Sequence, residues 1–144
     1  MRKLLLILFC IVLGVAAYYA WNRHDSTLNF KKDLFALKNP ESITEVHISS
    51  GDNEIRLMRK NGIWYAGNVK AEEQLVSNLM MIATHIEAMA PVSFEKMKSM
   101  LGNDPRKTGI RFLSKQRDVL IYDLYESNNV VYAGKPEDDI FYRI

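Results

Sequence analysis

Cysteine is nearly absent from this chain: Cys10 is its only one. A single thiol excludes an intrachain disulfide and any site built on paired cysteines, so the fold must hold by its apolar core. Histidine is scarce too. His24, His47 and His85 each lack a second His or Cys at ligand spacing, so no metal site is expected. The seven glycines form no phosphate-cradling loop, and Gly62 and Gly67 read as turn residues, so no cofactor is expected either. There is no Gly-x-Ser-x-Gly. Ser93-Phe94-Glu95-Lys96 matches Ser-x-x-Lys by letters, but it stands where a serine caps a helix. Glu137-Asp138-Asp139 reads as a solvated loop, and His47 with Glu45 as a pair on one strand face. No catalytic residue emerges, and the expected class is a non-enzyme.

Charge of one sign is also lacking. Of the 19 Lys and Arg, Arg2 and Lys3 precede the first apolar run, leaving 17 to face 17 Asp and Glu. A neutral domain has no electrostatic footprint for nucleic acid, so none is expected as a partner.

What the chain does have is one long uncharged run, LLLILFCIVLGVAAYYAW, from Leu4 to Trp21. It is long enough to cross the hydrocarbon core as a helix. Arg2 and Lys3 favour a cytoplasmic start, and Tyr18, Tyr19 and Trp21 are rings suited to the opposite interface. A cleaved signal peptide would use Val15-Ala16-Ala17, but the apolar stretch runs on past that site. A lipoprotein cleavage before Cys10 would need a small residue where Phe9 stands. The preferred reading is therefore an uncleaved anchor over residues 1–21, a tether over 22–40, and an exported domain over 41–144.

From Ile43 the apolar period is two: Thr44, Val46 and Ile48 alternate with Glu45 and His47, and Ile55 and Leu57 with Arg56 and Met58. Asn61-Gly62 is a strong hairpin turn signal, with Ile63-Trp64-Tyr65-Ala66 as a third strand. Gly67-Asn68 then breaks the strand. Leu75, Leu79, Ile82 and Ile86 recur at helical spacing up to Pro91, with Val76, Met80, Ala83 and Met89 widening the stripe. Ser93 opens a shorter helix that Gly102 ends, and Asn103-Asp104-Pro105 forms a turn. TGIRFLS, DVLIYDLYE and NVVYAGK read as further strands, with Ser127-Asn128 joining the last two, and IFYRI as a short final one. Three strands, two helices, then three to four strands predict an α+β fold, an antiparallel sheet with its helices on one face.

This order resembles a known family. The features that carry it are the basic start and apolar run, Ile-Thr-Glu-Val, Asn-Gly-Ile-Trp and the helix AEEQLVSNLMMIATHIEAM. Leu-Gly-Asn-Asp-Pro, Val-Tyr-Ala-Gly-Lys and Phe-Tyr-Arg complete it. Together they resemble the family known as domain of unknown function 4340, over roughly residues 40 to 144. The resemblance implies a single-pass protein of the bacterial inner membrane with a periplasmic domain, similar to auxiliary domains of gliding-motility-type ABC transporters. It transfers no active site.

The expected function is thus non-catalytic binding or scaffolding, as an accessory subunit that meets the bilayer through its N-terminal helix and a membrane or periplasmic protein through its domain. Sheet edges and a Met-rich surface are the expected contacts. Trp64, Tyr65, Met81, Met97 and Met100 are the candidate partner residues, and Arg2, Lys3, Tyr18, Tyr19 and Trp21 the candidate membrane-interface residues. Two alternatives remain: an extracytoplasmic hydrolase using His47, Glu45 or Asp123, and a glycan- or lipid-binding module using Trp64 and Tyr65.

Overall fold

Turn chemistry sets the connectivity. A computed structural model describes residues 31–102 and 105–144. Strands β1 (Glu45–Ser50), β2 (Asn53–Lys60) and β3 (Ile63–Ala66) follow one another through tight turns. Asn61 and Gly62, at φ 50° and 82°, form the second of these, as a turn with two left-handed central residues requires. The same device recurs at Lys115-Gln116, between β6 (Arg106–Ser114) and β7 (Arg117–Ser127), and at Asn128-Asn129, between β7 and β8 (Val130–Gly134). The last turn lies one residue beyond the expected Ser127-Asn128.

The remaining elements are β4 (Val69–Lys70), helix α1 (Glu73–His85), β5 (Pro91–Ser93), helix α2 (Phe94–Leu101) and β9 (Ile140–Arg143). All nine strands join one antiparallel sheet in the order β4-β3-β2-β1-β6-β7-β8-β9-β5. β6 pairs with β1, which brings the two halves of the chain together at the sheet centre. Both edges are blunt: β4 has two residues, and β5 has three and opens on Pro91. Short strands and edge proline disfavour strand addition, so the sheet-edge expectation is not supported by this geometry.

Register places Val46 opposite both Leu57 and Phe112 on one face. Val46 and Phe112 are fully buried, as are Ile43 and Phe35. Phe35 meets Tyr122 and Tyr142 edge-on at 5.6 and 5.7 Å. Part of the segment expected to be a tether is therefore core, and the compact unit runs from Lys32 to Ile144. The backbone ties that segment to α1 and its exit: the Leu37 amide donates to the Ala83 carbonyl, and the Ala88 amide to the Lys32 carbonyl. A second core cluster, Met97, Leu101, Tyr132 and Phe141, seats α2. Phe141 and Tyr142 are successive on β9, so they point to opposite faces. The α1 layer, with Phe35, and α2 therefore cover opposite faces of the sheet.

These findings correct the α+β expectation. The described residues are dominated by one nine-stranded antiparallel sheet, with two short α-helices on different faces rather than together on one. β4 follows the expected break at Gly67-Asn68, where a helix is expected directly, and β5 begins at Pro91, the expected helix end. Beyond His85 the backbone turns to other partners: the Ala88 and Met89 amides donate to the Lys32 and Arg143 carbonyls, and the Ala90 carbonyl accepts from the Arg143 amide, so the helix does not continue. The expected membrane helix over residues 1–21, with Arg2, Lys3, Tyr18, Tyr19 and Trp21, lies outside the described residues. Among the described residues no helix is long and apolar enough to cross a membrane.

Candidate binding surfaces

One sheet face carries a charged field. The β1 residues Glu45, His47 and Ser49 align with Arg56 and Glu54 on β2 and with Arg111 and Gly109 on β6. His47 Nε2 is 3.3 Å from Glu45 Oε2, and its Nδ1 is 3.9 Å from Glu54 Oε1. Arg111 grips both carboxylate oxygens of Asp118, at 3.1 and 2.8 Å. Lys107 Nζ lies 2.9 Å from Asp123 and 5.6 Å from the Tyr125 ring centroid. The Asp123 hydrogen bond raises the Lys107 ammonium above its ordinary value, against a smaller opposing effect of burial.

A depression of about 330 Å³ opens on this face, lined by His47, Ser49, Glu54, Gly109 and Asp123 among others. Gly109 leaves the floor of the depression open, since a Cβ there would come within 2.8 Å of Ser49 Oγ and 3.3 Å of Asp123 Oδ1 and make those side chains shift. The structure thus brings His47 and Asp123 to one depression, with Glu45 behind the imidazole. Both His47 ring nitrogens face carboxylates rather than a hydroxyl; a hydroxyl–imidazole contact lies elsewhere, between Thr84 Oγ1 and His85 Nδ1 at 3.0 Å on α1. Among the described residues no group of three or more His, Cys, Asp or Glu is placed to hold a metal ion.

The candidate partner residues do not form one patch. Trp64 and Tyr65 stand on opposite faces of β3, both half-buried. Met97 is 1% exposed and belongs to the core under α2, so its expected role as a partner contact is corrected. Methionine at a gap between a helix and two tyrosine-bearing strands is simply good filler. Met100 is exposed, and its sulfur accepts the Tyr132 hydroxyl at 3.0 Å. Met81 lies on α1, across the sheet from Met100, and is also exposed. No Met-rich surface around Pro91 results.

Two features carry more. The first is the outer flank of α1. Leu75 and Ile82 were expected to face the core, yet they are 63% and 62% exposed, while Val76 and Ala83 are buried in their place. The apolar sector of α1 spans Leu75, Val76, Leu79, Met80, Ile82 and Ala83, and the sheet covers only one side of it.

The second is a cleft of about 360 Å³ on the opposite flank of α1. It is lined by Pro40, Glu41, Arg59, Trp64, Lys70, Glu73, Val76 and Met80 among others. Arg59 stands opposite Trp64 in the β2–β3 register. Its Nη1 donates to the Glu41 carbonyl at 3.1 Å. Sequence reasoning singled out Trp64 but missed Arg59, which reads as one more polar strand residue until the register places it beside the indole. No family model matches the chain, and neither a similar curated protein nor a similar solved structure is found.

Proposed function

We propose that this protein is a non-catalytic accessory subunit held at a membrane by the apolar run from Leu4 to Trp21, an arrangement shared with the family it resembles. On this reading the domain lies on the side of the membrane away from Arg2 and Lys3. It engages a membrane or exported protein through the outer flank of α1. The observation that carries the proposal is the uncovered apolar strip of Leu75 and Ile82 beside exposed Met81. A helix with half its apolar sector in water is unfinished packing, and a partner completes it.

The chemistry of that partner follows from charge. Residues 71–89, which hold α1 and its exit, contain no Lys or Arg but include Glu72, Glu73 and Glu87. Such a surface suits an apolar helix face rimmed by basic residues, and it suits an anionic lipid surface poorly. Confinement to the membrane raises the effective concentration for a membrane-bound partner. The mutual pairing of His47, Glu45, Glu54, Lys107 and Asp123 supports binding over catalysis for the other face.

Cross-linked full-length protein, purified from membranes, tests this. Wild type should carry one stoichiometric protein whose cross-linked segment is apolar with Lys or Arg on its flanks. Ile82→Glu should abolish that association, while Ile140→Glu, at an exposed site on β9, should preserve it. Loss with both variants, no stoichiometric partner, or a second copy of this chain as the occupant would each overturn the proposal.

A further inference from the structure

The cleft over Trp64 has a ligand chemistry of its own, independent of the partner surface proposed for the outer flank of α1. We propose that it binds a small apolar carboxylate, with the apolar part against Trp64, Val76 and Met80 and the carboxylate held by Arg59 and Lys70. Its volume of about 360 Å³ is that of an ordinary small-ligand site, and a mostly apolar lining with a few placed polar groups is the usual composition of such sites.

Lys38, Arg56, Lys107 and Arg111 each have a carboxylate partner within ion-pair distance. Among the described residues no carboxylate lies within ion-pair distance of Arg59 or Lys70, although Glu41 and Glu73 line the same cleft. Arg59 is nonetheless held in place, since its hydrogen bond to the Glu41 carbonyl uses one guanidinium donor and leaves the others for a ligand. The indole beside it in the register offers a flat apolar face. Glu73, which also lines the cleft, lies in the first turn of α1, where a carboxylate is stabilised locally, and Glu41 presents its backbone carbonyl to Arg59. A guanidinium next to an aromatic ring is a preorganised receptor for a carboxylate on an apolar body, because its planar fork matches two oxygens at once.

This chemistry has two natural sources, a medium-chain fatty acid and the C-terminal residue of a polypeptide. The chain supplies its own reporter. Trp21 and Trp64 are the only tryptophans, so in full-length Trp21→Phe all indole emission comes from the cleft. The protein, in nanodiscs of neutral phosphatidylcholine, would be titrated with octanoate and octanamide, and with N-acetyl-Gly-Leu-Phe as free acid and as amide.

The expected result is a saturable blue shift with at least one acid, bound roughly tenfold or more tightly than its amide, as loss of a charge-assisted hydrogen bond implies. Arg59→Gln should erase that preference at unchanged far-UV dichroism. Lys70→Gln, at an exposed position on β4, should weaken acid binding about threefold and provides a readout that does not disturb the Arg59–Glu41 contact. Saturation by octanoate alone assigns the fatty-acid source, and saturation by the peptide acid alone assigns a chain terminus. No saturable shift with either acid, or equal affinity for acid and amide, overturns the proposal. Neither result bears on the Ile82 surface.

Discussion

Replacing Gly134 by alanine should cost this fold a measurable share of its stability, and the structure says why. Gly134 closes β8 opposite the ring of Phe141, and an added Cβ would meet Phe141 Cδ1 and Cε1 at 2.5 Å. Carbon atoms in contact sit about 3.5–4.0 Å apart, so the ring would have to retreat by roughly 1 Å. It has little room. Phe141 is 4% exposed, with Tyr125 edge-on at 5.4 Å and Phe94 tilted against it at 5.6 Å. Overpacking of this kind costs about 1–3 kcal/mol. Gly134 is not in the left-handed region, so alanine adds no backbone strain and returns about 0.5 kcal/mol by restricting the unfolded chain. The net loss should be roughly 1.5 kcal/mol, or a fall in Tm of about 6–8 °C for a domain of this size. Urea titration of the full-length Trp21→Phe chain, followed by Trp64 emission, measures it. The decisive comparison is the cycle with Phe141→Leu, which alone should cost about 1.5 kcal/mol. If the ring is the obstacle, the double variant should lie near the Phe141→Leu value rather than near the sum of the two. Additive losses, or a Gly134→Ala variant within about 0.5 kcal/mol of wild type, would refute the steric reasoning.

Phe35→Ala should cost about 3–5 kcal/mol in the same titration, because a fully buried ring with two edge-on aromatic partners is deleted. A loss under about 1 kcal/mol would mean that the segment before Pro40 is not part of the core. Tyr122 should make the fold alkali-sensitive, since burial pushes its hydroxyl up to about 12 against 10.0 in the unfolded chain. The neutral phenol's contribution is whole below pH 10 and is lost as pH rises toward 12, amounting to about 1.4 kcal/mol by pH 11. Tyr122→Phe should lose correspondingly less stability between pH 9 and 11, and identical pH slopes for the two proteins would contradict the assignment.

Much of the secondary structure was legible because it is written in local chemistry. Asn61-Gly62 announces its hairpin, Ser93 its cap on the Lys96 amide, and the alternation around Val46 its half-buried strand. The candidate sites were legible only in part. Trp64 stood out as an aromatic after a turn, whereas Arg59 acquired meaning only from the register that sets it beside the indole. The Met-rich surface failed because spacing along a chain does not say on which side of a sheet a helix will lie. Tyr132 with Ala133, and Phe141 with Tyr142, are apolar at both parities, the mark of strands covered on two faces. That signal separates α1 from α2, buries Met97 and leaves Met81 and Met100 on opposite sides.

By itself, then, the sequence determined the absence of disulfides, the balance of charge, the long apolar start and most strands and turns, because these depend on composition and on contacts a few residues apart. The tertiary structure alone decided that β6 pairs with β1, that the edges end in the short strands β4 and β5, and that Phe35 is core. It also decided which half of the α1 apolar sector meets the sheet and which faces water. Those outcomes rest on pairings between residues far apart in the chain, whose order is chosen by the burial each arrangement achieves.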